Sequence, residues 1–182
     1  MIVTLDRLVL REFERHDWEA VHVYGSDPEV VRYLAWGPNT ERDSRTFVQH
    51  AIGRQLDKNR RHWGLAIVRK ADEQLIGGCG VYVSAPEHRE GWIGYCLRRD
   101  AWGHGYATEV GAALLAIGFT ELRLHRVSAT CDPRNAASAR VLEKIGMRRE
   151  AHLREHLWQK GEWRDSVVFG MLEQEFRPPA RS

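Results

Sequence analysis

Residues 102–108, Trp-Gly-His-Gly-Tyr-Ala-Thr, set two glycines around a histidine just before a nearly uncharged apolar run that ends at Phe119. Glycine stabilises helices poorly, so two of them at a helix entrance need a reason. A helix start leaves about four backbone N–H groups without internal partners and carries the positive end of the dipole, which together can hold a phosphate. Gly103 and Gly105 remove side chains where such an anion would approach the backbone. Two phosphate motifs fail on spacing. A dinucleotide fingerprint needs a third glycine where Thr108 stands, and no Gly-Lys-Ser/Thr of a P-loop follows. Taken alone, the pattern also describes a tight turn before an ordinary helix.

A second chemical pattern is His152-Leu-Arg-Glu-His156, which matches the H-x-x-E-H spacing of an inverted zinc-peptidase motif. That chemistry needs both histidines on one helix face with a further ligand nearby. The run lies between GMRREA and LWQKGEW, a strand-and-turn context, so two exposed strand histidines are expected and no metal. A third pattern is NAASARVLEKIG, where Ser138, Val141, Leu142 and Ile145 fall at offsets of three, four and seven and share one helix face. A hydroxyl on an apolar stripe is either a local cap or a functional group. Asn135 is positioned to be the N-cap of that helix.

Several elements must position these residues. LDRLVLREF alternates as a first strand, HDWEAVHVYGSD reads as a short helix, and DPEVVRYLAWGP offers Asp27 as N-cap and Pro28 at the first helical position. Thr40 and Asp43 form a capping box for a third helix with Phe47, Val48, Ala51, Ile52 and Leu56 at helical spacing, and the basic run 54–62 is its solvated end. From residue 62 the period becomes that of strands: WGLAIVRK, QLIGGCGVYVS and GWIGYCLR form a meander. The glycine-opened helix follows, then strand RLHRVSATC, helix NAASARVLEKIG ended by Gly146, and strands around HLREHLWQ and SVVFGMLEQEF. The expectation is an α/β (α+β) fold, a mixed, mostly antiparallel sheet of about seven strands with helices on both faces. One domain spans 1–176, and 177–182 is a flexible tail.

Composition narrows the function classes. The 182 residues are 43% hydrophobic and 29% charged, with no run approaching the ~18 apolar residues of a membrane span. The amino terminus lacks the basic-then-apolar order of a secretory signal, so a cytoplasmic location is expected. Net charge is +2 with basic and acidic residues interleaved, which gives no electrostatic case for nucleic acid. Cys79, Cys96 and Cys131 are far apart, which suits small buried residues rather than disulfides or a zinc site.

Together the blocks TLDRLVLREF, SDPEVVRYLAWGP, IGGCGVY, WIGYCLRRDAWGHGYATE, RVSATCDPRNAASARVLEKIGM and GEWRDSVVFGMLEQEF make the chain resemble the GNAT acetyltransferases, in the branch of ribosomal-protein alanine N-acetyltransferases and their small-molecule relatives. The resemblance implies acetyl-CoA as acyl donor, with its pyrophosphate on the amides of Trp102, Gly103, His104, Gly105, Tyr106, Ala107 and Thr108. Trp102 stands where the family signature usually has Gln or Arg, so the amides carry more of the binding. The resemblance sets the strand end at Tyr95, Cys96, Leu97 and Arg98 along the pantetheine arm. It matches Asn135 to an asparagine that contacts the same arm. It puts Trp36 and Trp92 near the acceptor groove, where packing also accounts for them.

Acetyl transfer needs a neutral amine, donors for the developing oxyanion and a proton for the departing thiolate. Backbone N–H groups near Leu97 would polarise the carbonyl, as in the enzymes this chain resembles. Trp92 occupies the strand site where many relatives have a glutamate, and Glu90 lies two residues earlier on the same face, as a proton relay or a solvated turn carboxylate. His104 and His88 are poorer candidates. Many relatives have a tyrosine where this chain has Leu142, which leaves Ser138 as the nearest hydroxyl for the thiolate, beside its reading as a cap. The expected acceptor is a protein N-terminal amine. A small amine such as an amino acid, polyamine or aminoglycoside is the alternative, and a non-catalytic CoA-binding sensor is the rival. Monomer and homodimer both remain open.

Overall fold

The computed structural model describes residues 1–177, so nearly all of the expected tail lies outside the described residues. The first expected strand is two: β1 (Ile2–Thr4) and β2 (Leu8–Glu12) pair antiparallel, with Val3 opposite Leu10. The break is the turn at Leu5-Asp6-Arg7, closed by the Leu5 amide donating to Leu8 O at 2.9 Å. Beyond it Leu8 and Leu10 are fully buried.

Helix α1 (Trp18–Gly25) and helix α2 (Glu41–Gln55) form as the apolar spacing predicts. The capping box is present: Thr40 Oγ1 accepts from the Asp43 amide at 3.2 Å, and Asp43 Oδ2 accepts from the Thr40 amide at 2.9 Å. Leu56, expected on the buried stripe, is instead the C-cap and 83% exposed. The helix expected from Asp27 does not form. Residues 28–36 are turns and bends, and Asp27 Oδ1 accepts from the Glu29 amide at 3.0 Å as an aspartate turn. Val30 and Val31 are both buried, and a single helical turn is all that forms, the Val31 amide donating to Asp27 O at 3.2 Å.

Strands β3 (His62–Arg69), β4 (Leu75–Ala85) and β5 (Glu90–Leu97) follow, then α3 (Tyr106–Ala116) and a wide turn over Ile117–Glu121. The chain continues through β6 (Arg126–Cys131), α4 (Ala136–Lys144), β7 (Arg148–Gln159) and β8 (Glu162–Leu172). The sheet is mixed, mostly antiparallel and eight-stranded, in the order β1-β2-β3-β4-β5-β6-β8-β7. The parallel pairing expected across α3 is there, with Trp92 of β5 opposite Ser128 of β6. Across α4 it is not, because β8 pairs antiparallel with both β6 and β7 and separates them.

The chain groups into two compact units: Met1–Gly80 with Tyr95–Val110, and Val81–Gly94 with the chain from Gly111 onward. The first is organised around Phe13, Val21, Tyr24, Val31, Val48 and Leu75. In the second, β8 turns Val167, Phe169 and Met171 inward on alternate positions, and Leu142 of α4 is buried.

Candidate acyl-donor site

In the first unit, β5 ends at Leu97, a short turn covers Arg99–Ala101, and Trp102 leaves it extended. Gly103 and Gly105 then take φ of +78° and +80°, a region open to glycine and costly for other residues. A Cβ at Gly103 would meet nothing within 4 Å, so backbone conformation rather than crowding demands the glycine. The amides of Thr108 and Glu109 both donate to Gly105 O, at 3.1 and 3.2 Å. Those of residues 103–107 make no hydrogen bond among the described residues. Five consecutive amides thus lie unpaired among the described residues at the positive end of α3, a row of donors of the kind that can hold an anion.

Side chains hold this loop. The Trp102 indole Nε1 donates to Leu97 O at 2.9 Å, so the tryptophan anchors the loop to the strand end. His104 Nδ1 lies 2.8 Å from Trp102 O, which fixes the ring proton on Nδ1. Arg7 belongs to the first-strand block, to which the sequence assigns no site role, yet it reaches Glu109 and His104 O. No spacing signal could have found it, because its partners lie about a hundred residues away.

Of the strand residues, Leu97 is buried and its carbonyl is taken by Trp102. The Arg98 guanidinium is engaged by Asp100 through Nε at 3.1 Å and Nη2 at 2.9 Å. Burial pushes the Cys96 thiol up to about 12, so it stays protonated at neutral pH and is no nucleophile. Trp36, 41% exposed, sits in the irregular segment before α2.

In the second unit, Asn135 is the N-cap of α4, its Oδ1 accepting from the Ser138 amide at 3.1 Å. Ser138 is half-buried on the face that carries buried Leu142. Glu90 opens β5 and accepts from Arg126 Nε through Oε1 at 3.2 Å, leaving Oε2 without a partner among the described residues. Arg126 also holds Glu150, Nη1 to Oε1 at 2.8 Å, and this hydrogen bond keeps the Glu150 carboxyl below its ordinary value. Trp92, on the same face as Glu90, stacks on Tyr82 with ring centroids 3.8 Å apart.

The H-x-x-E-H run is part of β7. His152 Nε2 lies 2.7 Å from Asp165 Oδ2, and His156 Nδ1 lies 3.0 Å from Ser166 Oγ. A strand does not present the two histidines as a helix face would, and His152 is spent on an aspartate.

These features, a strand that ends in a glycine-shaped loop with free amides at a helix start, are of the kind that can receive an anion such as a phosphate. The acetyltransferase (GNAT) domain pattern matches residues 7–148, and the chain belongs to the GNAT acetyltransferases. It is 38% identical to the N-acetyltransferase YnaD of Bacillus subtilis, itself uncharacterized, over 97% of this chain and 99% of that one. It is 25% identical to the ribosomal protein uS5 alanine N-acetyltransferase of Escherichia coli, over 97% of this chain and 93% of that one. Among solved structures, a GNAT-family acetyltransferase from Bacillus anthracis superposes with a TM-score of 0.85 at 36% identity, covering 96% of this chain and all of the other. The protein is therefore an acyltransferase of the N-acetyltransferase class, in a family whose acyl donor is acetyl-CoA.

Proposed function

We propose that the protein moves the acetyl group of acetyl-CoA to a protein N-terminal amine. The observation that carries the donor half is the row of free amides at residues 103–107 behind two left-handed glycines, which suits the donor's pyrophosphate. Bound there, acetyl-CoA supplies a thioester carbon open to attack by an amine. Support for the acceptor half is the resemblance to ribosomal-protein alanine N-acetyltransferases and the likeness to the uS5-modifying enzyme.

In this reading Cys96, Leu97 and Arg98 flank the pantetheine arm with main-chain groups, since the Arg98 side chain is engaged by Asp100. Asn135 combines its capping role with a contact to that arm. Ser138 passes its hydroxyl proton to the departing thiolate and takes a replacement from water, so that no alkoxide is left. Glu90 accepts the amine proton through water at Oε2, while Arg126 holds the other oxygen in place. Trp36 and Trp92 form apolar walls for the acceptor. A second reading, a small cationic amine as acceptor, has one observation in its favour: Glu90 and Glu150 share a single guanidinium, leaving net negative charge on the face of Trp92.

An acceptor screen tests the proposal, with peptides bearing free N-termini set against polyamines, amino acids and aminoglycosides and scored by thiol release from acetyl-CoA. Peptides should give the highest kcat/KM. A preference for polyamines would replace the first reading by the second, and no release with any amine would leave a CoA-binding module.

A further inference from the structure

The Leu5-Asp6-Arg7 turn is pinned from both sides, although nothing in the transfer chemistry described so far uses it. On one side, Lys70 donates its amide to Arg7 O at 3.0 Å and its ammonium to the carbonyls of Leu5 and Asp6. On the other, Arg7 clasps the start of α3. Its amide donates to Glu109 Oε1 and its Nε to Oε2, both at 2.9 Å, so both carboxylate oxygens are occupied. Nη1 donates to His104 O at 2.7 Å, and the guanidinium lies 4.7 Å from the centre of the Tyr106 ring.

We propose that Arg7 is a positioning residue for acetyl-CoA, acting on the phosphate loop by neutralising Glu109 and by orienting the peptide between His104 and Gly105. The inference rests on the acetyl-CoA reading of the loop. Its first half is electrostatic. Glu109 lies in the first turn of α3, with its side chain only 15% exposed. An unpaired carboxylate there would compete with an incoming phosphate for the helix's positive end and would repel it. Arg7 removes that competitor by occupying both oxygens, Oε2 with its charged Nε and Oε1 with its main-chain amide.

The second half is geometric. In a trans peptide the C=O and N–H point in opposite directions. Holding His104 O on Nη1 therefore aims the Gly105 N–H away from Arg7, and that N–H is one of the five unpaired loop amides. The two left-handed glycines make this segment easy to turn, so a peptide tied down on one side is worth more here than in a stiffer chain.

Steady-state kinetics on the full chain test this, with acetyl-CoA as donor and acetyl-pantetheine, which lacks the phosphates, as the comparison. Arg7→Gln should raise KM for acetyl-CoA about tenfold, the scale of a lost charged hydrogen bond, with kcat nearly unchanged and acetyl-pantetheine unaffected. The double variant Arg7→Gln, Glu109→Gln removes the carboxylate left without its cation and should recover much of that loss, which a merely structural role for the pair would not allow. Glu109→Gln alone should leave KM for acetyl-CoA unchanged or lower it, and this holds as a test even if Arg7→Gln fails to fold. Equal losses with both donors, no recovery in the double variant, or a raised KM in Glu109→Gln would overturn the inference. Measurable KM for acetyl-CoA in the unmodified enzyme tests the donor reading separately.

Discussion

Replacing Gly105 by alanine asks whether the loop conformation matters to the donor. The left-handed φ of +80° costs a non-glycine residue about 1–2 kcal/mol, and relaxing that strain would turn the amides proposed to hold the phosphate. Gly53 in α2 provides the control, because a Cβ there meets nothing within 4 Å and alanine favours a helix by roughly 0.5–1 kcal/mol. CoA affinity measured by calorimetry should fall in Gly105→Ala and hold in Gly53→Ala; equal affinities would contradict the assignment. Ser138→Ala makes a second prediction at this scale. The variant keeps the amide that Asn135 caps, so the melting temperature should move little while turnover drops by roughly 10²-fold, the low end of general-acid effects. Unchanged turnover would reassign the thiolate's proton to water or another hydroxyl. Residues of this kind were legible where a local rule applied, as with the glycines before an apolar helix and Asn135 at a cap. Arg7 and Tyr82 were not, because each acts on a partner brought near by the fold alone.

Elements were legible to the extent that their periodicity had one meaning. The Thr40–Asp43 box, the strand-length runs after residue 62 and the parallel β5/β6 pair all follow from spacing. The segment after Asp27 misled because the same cues, aspartate followed by proline, also open an aspartate turn. Insertion of β8 between β6 and β7 had no sequence signal, since a strand carries no label for its neighbour. One prediction belongs to this scale: Arg126 of β6 joins Glu90 of β5 to Glu150 of β7. The Arg126 hydrogen bond holds Glu150 below its ordinary value of 4.5 in the fold, so its stabilisation is complete above that value and lost as pH falls through the depressed one. Urea unfolding of the unmodified protein and of Glu150→Gln should therefore show a stability gap at neutral pH that closes in acid. A gap that widens in acid would contradict the ion pair.

For the whole molecule, the order of blocks along the chain was more informative than any one of them. TLDRLVLREF and WGHGYATE lie in the first compact unit, and RVSATCDPRNAASARVLEKIGM in the second. No local window holds the donor loop together with Ser138, and net charge and composition describe the surface, not the site. Among the described residues no helix is long and apolar enough to cross a membrane. The loop from Trp102 to Thr108 is proposed to present acetyl-CoA for transfer to an amine. Free-thiol release from acetyl-CoA, followed with an amine acceptor in the unmodified protein and in Gly105→Val, tests it most directly. Steady release matched mole for mole by acetylated amine is expected, with a much higher KM for acetyl-CoA in a folded Gly105→Val. Release that stays at the hydrolysis background with every amine, or that is unaltered in the variant, would contradict it.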